Sequence, residues 1–257
     1  MVKKSDIVIL FTGLMVIILL AMGCSSGKRL DPKPKPDTLS YGIDTSGTFL
    51  SIIFEKGDKH NYPLMVFWLE DRNGNFLKTI YVAKSIGKGV FLYGDTVAGF
   101  WQPGAIQRPA TLPYWGHKRG LQNEFGNYIP SESQPLVDAI TGPTPRRSFV
   151  INAFTGDNVP KKFKLLMEIN QAWDVNRYWI NNKYPGNEEY RASGQPALVY
   201  SVDLDREVAG TFTLTPVGHS HYDGGDGSLT HDLSTITSAL DIVKSVRVRV
   251  NDEKDNE

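Results

Sequence analysis

Apolar and β-branched residues recur along this chain in short runs separated by Gly, Pro, Asn and Asp, a rhythm that predicts strands. The runs cover residues 48–54, 64–70, 76–82, 90–93, 148–154, 163–169, 197–204, 210–216 and 246–250. In the last of them Val246, Val248 and Val250 alternate with Arg247 and Arg249, so an extended backbone sends valines to one face and arginines to the other. Asn73-Gly74 marks a hairpin, because a tight reversal between twisted strands needs positive φ angles, and it puts Trp68 and Tyr81 in paired strands. One window, 234–244, has helical spacing: Leu233, Ile236, Leu240 and Val243 fall near one face and Ser234 is placed to cap the start. Residues 99–145 are rich in Pro and Gly and read as a long irregular excursion outside the core, of the kind that is often functional in a compact domain.

Many antiparallel strands with short turns and little helix predict a mainly β fold. The expected architecture is an immunoglobulin-like antiparallel β-sandwich with one long irregular insertion and a short helix near the C-terminus.

The N-terminus follows a different pattern. Lys3 and Lys4 precede an apolar stretch over 7–20, and the small residues Ala21 and Gly23 lead into Cys24. That order is a secretory signal peptide. The stretch is too short for a hydrocarbon core, which needs about 20 apolar residues. Leu20-Ala21-Met22-Gly23-Cys24 resembles the bacterial lipobox, with Ala21 where leucine is usual; there the cysteine thiol receives a diacylglyceryl group and becomes the new N-terminus. Cys24 is the only cysteine in the chain, which excludes an intramolecular disulfide. Acylation would remove the liability of a lone thiol in an oxidising compartment.

Residues 1–23 are thus expected to be a lipoprotein signal peptide, 24–40 a lipid anchor with an extended spacer of alternating prolines and lysines, and 41–257 the β-sandwich domain. Serine after the cysteine resembles an outer-membrane sorting pattern. The expected location is the bacterial cell envelope, lipid-anchored in the outer membrane and facing the periplasm. Lysine plus arginine number 28 and aspartate plus glutamate 28. No net field draws the protein to nucleic acid, and none is expected as a partner.

Three clusters could carry chemistry. His219, His221, Asp223 and Asp226, with His231 and Asp232 nearby, offer imidazoles and carboxylates of the kind that suit zinc or copper, provided that His219 and His221 stay extended and share a face. Asp223, Asp226 and the intervening glycines also suggest a calcium loop, although the regular acidic repeat and distal glutamate are missing. The same residues equally describe a solvated turn in which Gly supplies left-handed backbone and Asp caps it. Trp115, Trp173 and Trp179, near Trp101, Tyr114, Tyr178, Tyr184 and several asparagines, could stack on a planar ligand or fill a core. His117, Lys118, Arg119 and Glu124 could form an acid/base set, but no Gly-x-Ser-x-Gly elbow or phosphate loop accompanies them.

Three strings carry a family resemblance: residues 64–82 (LMVFWLEDRNGNFLKTIYV), 138–144 (DAITGPT) and 194–200 (GQPALVY). Together they resemble a family of predicted bacterial periplasmic proteins of unknown function with an immunoglobulin-like fold. Its members carry a W-x-E-D-x-x-G hairpin, a D-A-x-[ST]-G-A-T turn and a G-Q-P-[SA]-x-x-Y strand. The resemblance spans most of the mature domain and implies the fold, but it brings no activity. DAITGPT also resembles a flavin-attachment motif, which would make Thr144 the FMN acceptor and Asp138 an upstream recognition residue. Pro143 and Pro145, flanking Thr144, stiffen the backbone against entry into a transferase site. The expected function is a non-catalytic envelope module that binds an envelope protein or a small ligand. The alternatives are a periplasmic metal-binding protein using the histidine loop and a flavin-carrying redox protein.

Overall fold

The computed structural model describes residues 36–40, 45–137, 139–142 and 145–251. The chain divides into Met1–Lys35 and Pro36–Glu257, and every described residue belongs to the second unit. Residues 1–23, read as a signal peptide, and Cys24, Asp138 and Thr144 lie outside the described residues. Among the described residues no helix is long and apolar enough to cross a membrane.

In chain order the first strands are β1 (Asp37–Ser40), β2 (Phe49–Lys56), β3 (Leu64–Asp71) and β4 (Phe76–Ala83). Helix α1 (Lys84–Lys88), β5 (Val90–Asp95), β6 (Gln102–Ala105), α2 (Pro113–Arg119) and β7 (Ile140–Gly142) follow. Next come β8 (Phe149–Phe154), β9 (Lys162–Asn170), α3 (Glu188–Ser193), β10 (Leu198–Asp205), β11 (Gly210–Thr213), β12 (Thr215–Ser220), β13 (Leu229–Thr230) and β14 (Val243–Val250). One sheet has the order β1-β8-β2-β14-β11, a second β13-β12-β10-β9-β3-β4-β7, and β5 and β6 form a separate ribbon.

The fold is mainly β, two sheets packed as a sandwich. Hairpins β3–β4 and β9–β10 join through the antiparallel β3–β9 pair, while β2 pairs with β8 in the other sheet. β1, at the end of the stretch read as spacer, adds to that sheet in parallel with β8.

The hydrophobic pattern explains how the layers stack. β2 alternates buried and partly exposed residues, sending Leu50, Ile52 and Phe54 inward, and β14 does the same with Val246, Val248 and Val250. These strands have one face toward solvent. β3 does not alternate: six successive residues from Met65 to Glu70 are buried. A strand apolar on both faces must be covered on both. Met65, Phe67 and Leu69 join the core between the sheets, while Val66 and Trp68 join a second core with Ile86, Leu112, Trp115 and Ile129.

That second core corrects the reading of 99–145 as an excursion outside the core. The insertion between β4 and β8 forms a third layer over the outer face of the larger sheet, and Trp115 within it is fully buried. The expected short helix near the C-terminus is present, shorter and tighter than the 234–244 window, as a 3-10 helix. Residues Ser238–Ile242 form a 3-10 turn, and Val243 and Lys244 already belong to β14. Ile236, Ala239 and Ile242 are the buried positions, and a spacing of three suits the tighter helix. The run 210–216 splits at buried Leu214, because β11 and β12 lie in different sheets. The hairpin at Asn73-Gly74 stands where expected but is wider than a two-residue turn. Gly74 is left-handed at φ 82°, its N–H donates to Asp71 O at 3.1 Å, and Asp71 Oδ1 accepts the N–H groups of Asn73 and Asn75.

Candidate functional site

The third layer does not close completely. Beside it lies a cleft of about 1050 Å³ lined by residues of α1, β5, the β6–α2 connection, the end of β9 and α3. α1 leaves β4 directly and buries Ile86 in the second core, so Lys84 and Lys88, four apart, share its cleft side. β5 supplies an apolar wall from Val90 to Tyr93, anchored by Phe91, which packs against the second core. The floor includes Asn170, whose Nδ2 donates to Ser193 Oγ at 2.9 Å and to Gln195 O at 3.2 Å.

Two aromatic residues at the rim have unusual backbones. Tyr62 has φ 52° and Trp173 φ 62°, and with Asn251 they are the non-glycine residues of positive φ among the described residues. For a bulky side chain this conformation costs about 1–3 kcal/mol and persists only where surrounding contacts impose it. Those contacts are visible: Asn61 N–H donates to Gln171 Oε1 at 2.7 Å, and Trp173 N–H donates to Ala192 O at 3.2 Å. Both side chains are nonetheless mostly exposed, Tyr62 at 54 % and Trp173 at 64 %. The fold holds two large rings in strained positions without burying either.

The charges in the cleft are unequal. Lys84, Lys88, Arg108 and Arg146 line it against one carboxylate, Glu189. Arg146 stacks over the Tyr62 ring at 5.0 Å. Glu189 Oε2 is shielded from water and has no hydrogen-bond partner among the described residues. Burial pushes the Glu189 carboxyl above its usual range, with the Arg108 charge opposing the shift. Aromatic walls and four cations suit a ligand with an apolar body and an anionic group, while the unsatisfied Glu189 oxygen calls for a hydrogen-bond donor on that ligand.

Of the three tryptophans picked from the sequence, Trp173 lies on this cleft and the other two do not. Trp115 is in the second core, where its Nε1–H donates to Thr79 Oγ1 at 3.0 Å, and Trp179 is 5 % exposed in the main core, with Nε1–H toward Thr235 Oγ1. Both are corrected to packing residues.

The histidine loop does not assemble as the metal reading needs. β12 ends at Ser220, so the alternation that would put His219 and His221 on one face stops between them. His219 is buried edge-on to Trp179, and its Nδ1 lies 2.9 Å from Ser220 O. His221 Nδ1 sits 2.6 Å from Asp223 Oδ1, while His231 Nδ1 lies 2.7 Å from Val217 O. Among the described residues no three His, Cys, Asp or Glu side chains gather as a metal-holding group. The calcium reading meets the same geometry. Asp223 accepts Gly225 N–H and an Asn187 amide proton, Asp226 accepts Ser228 N–H, and Asp232 accepts Ser234 N–H, as turn-capping aspartates do. His117, Lys118 and Glu124 are likewise turned to separate partners, Pro113 O, Gly74 O and the Ser131 and Ser133 hydroxyls.

No family model matches the chain, and comparison with curated proteins finds no match.

Proposed function

We propose that this chain is a bacterial envelope lipoprotein, acylated at Cys24, whose β-sandwich binds a small anionic amphiphile in the cleft beside the third layer. The observation that carries the binding reading is the pair Tyr62 and Trp173, exposed rings held in left-handed backbone on a cleft that also carries Arg108 and Arg146. Backbone strain kept beside an open, aromatic cleft fits a prepared binding surface. The lipoprotein reading rests on the N-terminal order of charges, apolar stretch and Cys24.

Anilinonaphthalene sulfonate, an aromatic anion, should bind saturably and one to one, and its neutral counterpart phenylnaphthylamine should bind more weakly. Arg108→Gln and Arg146→Gln should each weaken the sulfonate about tenfold, the loss of one charge-assisted hydrogen bond, and leave the neutral probe unchanged. Equal loss for both probes would show that the cations do not read charge; no saturable binding would remove the cleft as a site. For the anchor, mass spectrometry of the protein extracted from a bacterial host's membranes should find diacylglyceryl on Cys24 and no residues 1–23. An unmodified cysteine would refute acylation.

A further inference from the structure

Among the described residues the tip of the β5–β6 ribbon is apolar and largely exposed. Between Lys88 and Arg108, from 89 to 107, the sequence contains a single charged residue, Asp95, and the rest is glycine, apolar, aromatic or neutral polar. Leu92, Tyr93, Val97, Phe100 and Trp101 are all largely exposed, Val97 at 93 %. The ribbon pairs with neither sheet, and its strands come close enough that a Cβ on Gly94 would lie 2.2 Å from Gly104 O. Phe91 fastens the base to the second core, Leu92, Tyr93 and Pro103 line the cleft, and Val97, Phe100 and Trp101 beyond them are exposed. Exposed apolar surface of this extent marks an interaction site.

We infer that this tip inserts into the interfacial layer of a lipid bilayer that contains anionic headgroups. The order of residues along the ribbon follows the order of a bilayer surface. Val97, Ala98, Phe100 and Trp101 form the turn, tyrosine and tryptophan are the residues favoured at headgroup depth, and Lys88 and Arg108 flank the base where phosphates lie. Lys84 and Arg146, on the adjoining cleft, extend that positive base. Asp95 limits the depth: its Oδ1 accepts Val97 N–H at 2.7 Å and its Oδ2 accepts the Gln102 amide at 2.6 Å. A carboxylate so engaged stays at the wet side of the turn, and residues 96–101 alone enter. An exposed apolar tip flanked by the cations Lys88 and Arg108 complements an anionic fluid surface. The inserting residues Val97, Phe100 and Trp101 lie outside the cleft lining, whereas the flanking cations Lys84, Lys88, Arg108 and Arg146 belong to it.

The test uses the full chain carrying Cys24→Ala and Val97→Cys, with a nitrobenzoxadiazole fluorophore on residue 97. It is added to vesicles of phosphatidylethanolamine and phosphatidylglycerol that carry nitroxide on their acyl chains. Quenching reports the depth of residue 97, and any hold that residues 1–35 have on the vesicle is common to all the variants compared. The expected result is blue-shifted emission quenched by the acyl-chain nitroxide, weaker in vesicles of phosphatidylcholine alone. Phe100→Ser with Trp101→Ser should move the insertion equilibrium at least about tenfold toward water, since two aromatic rings leave the lipid. A dye that stays open to aqueous iodide and unquenched by lipid nitroxide would overturn the inference. So would a dye shielded from iodide without lipid quenching and in proportion to protein concentration, which would assign the tip to a second copy of the chain.

Discussion

Glu168→Gln should gain stability relative to the unsubstituted protein as the pH rises from 5 toward 9, by on the order of 4 kcal/mol across that span. Glu168 projects from β9 into the second core and is fully buried. Its two oxygens accept the N–H groups of Tyr114 and Trp115 at 3.2 and 2.8 Å, in the first turn of α2. Burial nevertheless dominates and pushes the carboxyl from its ordinary 4.5 to about 8, with those two hydrogen bonds opposing the shift. The folded protein then keeps a proton that the unfolded chain releases near 4.5. Stability is fully present below that value and is lost as pH climbs through about 8. Glutamine retains an acceptor for α2 and cannot titrate, so this part of the decline disappears. Thermal unfolding of the two proteins in parallel should show the variant's advantage growing by about 8–15 °C from pH 5 to pH 9, given 2–4 °C per kcal/mol for a domain of this size. Glu70, Asp174 and Glu189, each raised mainly by burial, are present in both proteins, as is His60, which burial lowers. Their effects cancel in the difference. A difference that does not change with pH would mean that Glu168 is already ionised in the folded state.

The sequence was legible where one physical constraint acted on successive residues. β2 and β14 have one face in the core and one in solvent, and their alternation is plain in Leu50, Ile52 and Phe54 and in the three valines of 246–250. The unbroken apolar run in β3 held more information than it yielded. It identified a strand, yet its second buried face also implied a covering layer, and the Pro- and Gly-rich composition of 99–145 concealed that the insertion supplies it. Short helices were missed because α1, α2 and α3 have five to seven residues, too few for a helical period to repeat. The cleft was less legible still. Its charged and aromatic residues lie between positions 62 and 189 with no common spacing, and topology alone brings them together. Nothing in the residue types of Tyr62 and Trp173 predicts a left-handed backbone, which the Asn61–Gln171 and Trp173–Ala192 hydrogen bonds impose. Tryptophan itself does not discriminate: Trp115 and Trp179 have similar neighbours in the sequence and are both buried.

The string Gly194-Gln195-Pro196 has a structural role that its position before a strand only partly suggests. Gln195 N–H donates to Asp174 O at 2.7 Å, its Oε1 accepts Thr237 N–H and an Asn176 amide proton, and its Nε2 donates to Ser238 Oγ. One buried amide thereby fastens the segment after β9 to the 3-10 turn before β14. That segment carries Trp173 to the cleft rim. A turn motif of the sandwich and the strained aromatic of the candidate site are two ends of the same hydrogen-bonded unit.

Trp115→Ala should destabilise the protein by about 3–5 kcal/mol, the range for truncating a buried tryptophan, which corresponds to a fall in Tm of roughly 10 °C or more. The ring is fully buried between α2 and the outer face of the larger sheet, near Trp68 and Leu166. Its loss leaves the buried Thr79 hydroxyl without the indole donor and removes the surface over which the Arg119 guanidinium lies at 4.9 Å. The damage should concentrate in the third layer. The core between the sheets keeps its own contacts, whereas the insertion has Trp115 as its largest fully buried side chain. Amide hydrogen exchange should therefore accelerate across 84–137 well before it does in β2 and β14. Arg108, Ala110 and Thr111 line the cleft a few residues before α2, so loosening the helix should also weaken binding of anilinonaphthalene sulfonate at temperatures where the sandwich is intact. Trp115→Phe, which keeps a ring without the Nε1–H donor, should cost less than half as much and leave exchange in the two layers nearly in step. Uniform acceleration over the whole domain in Trp115→Ala would show instead that the third layer and the sandwich unfold as one unit, making the insertion inseparable from the β-sandwich it covers.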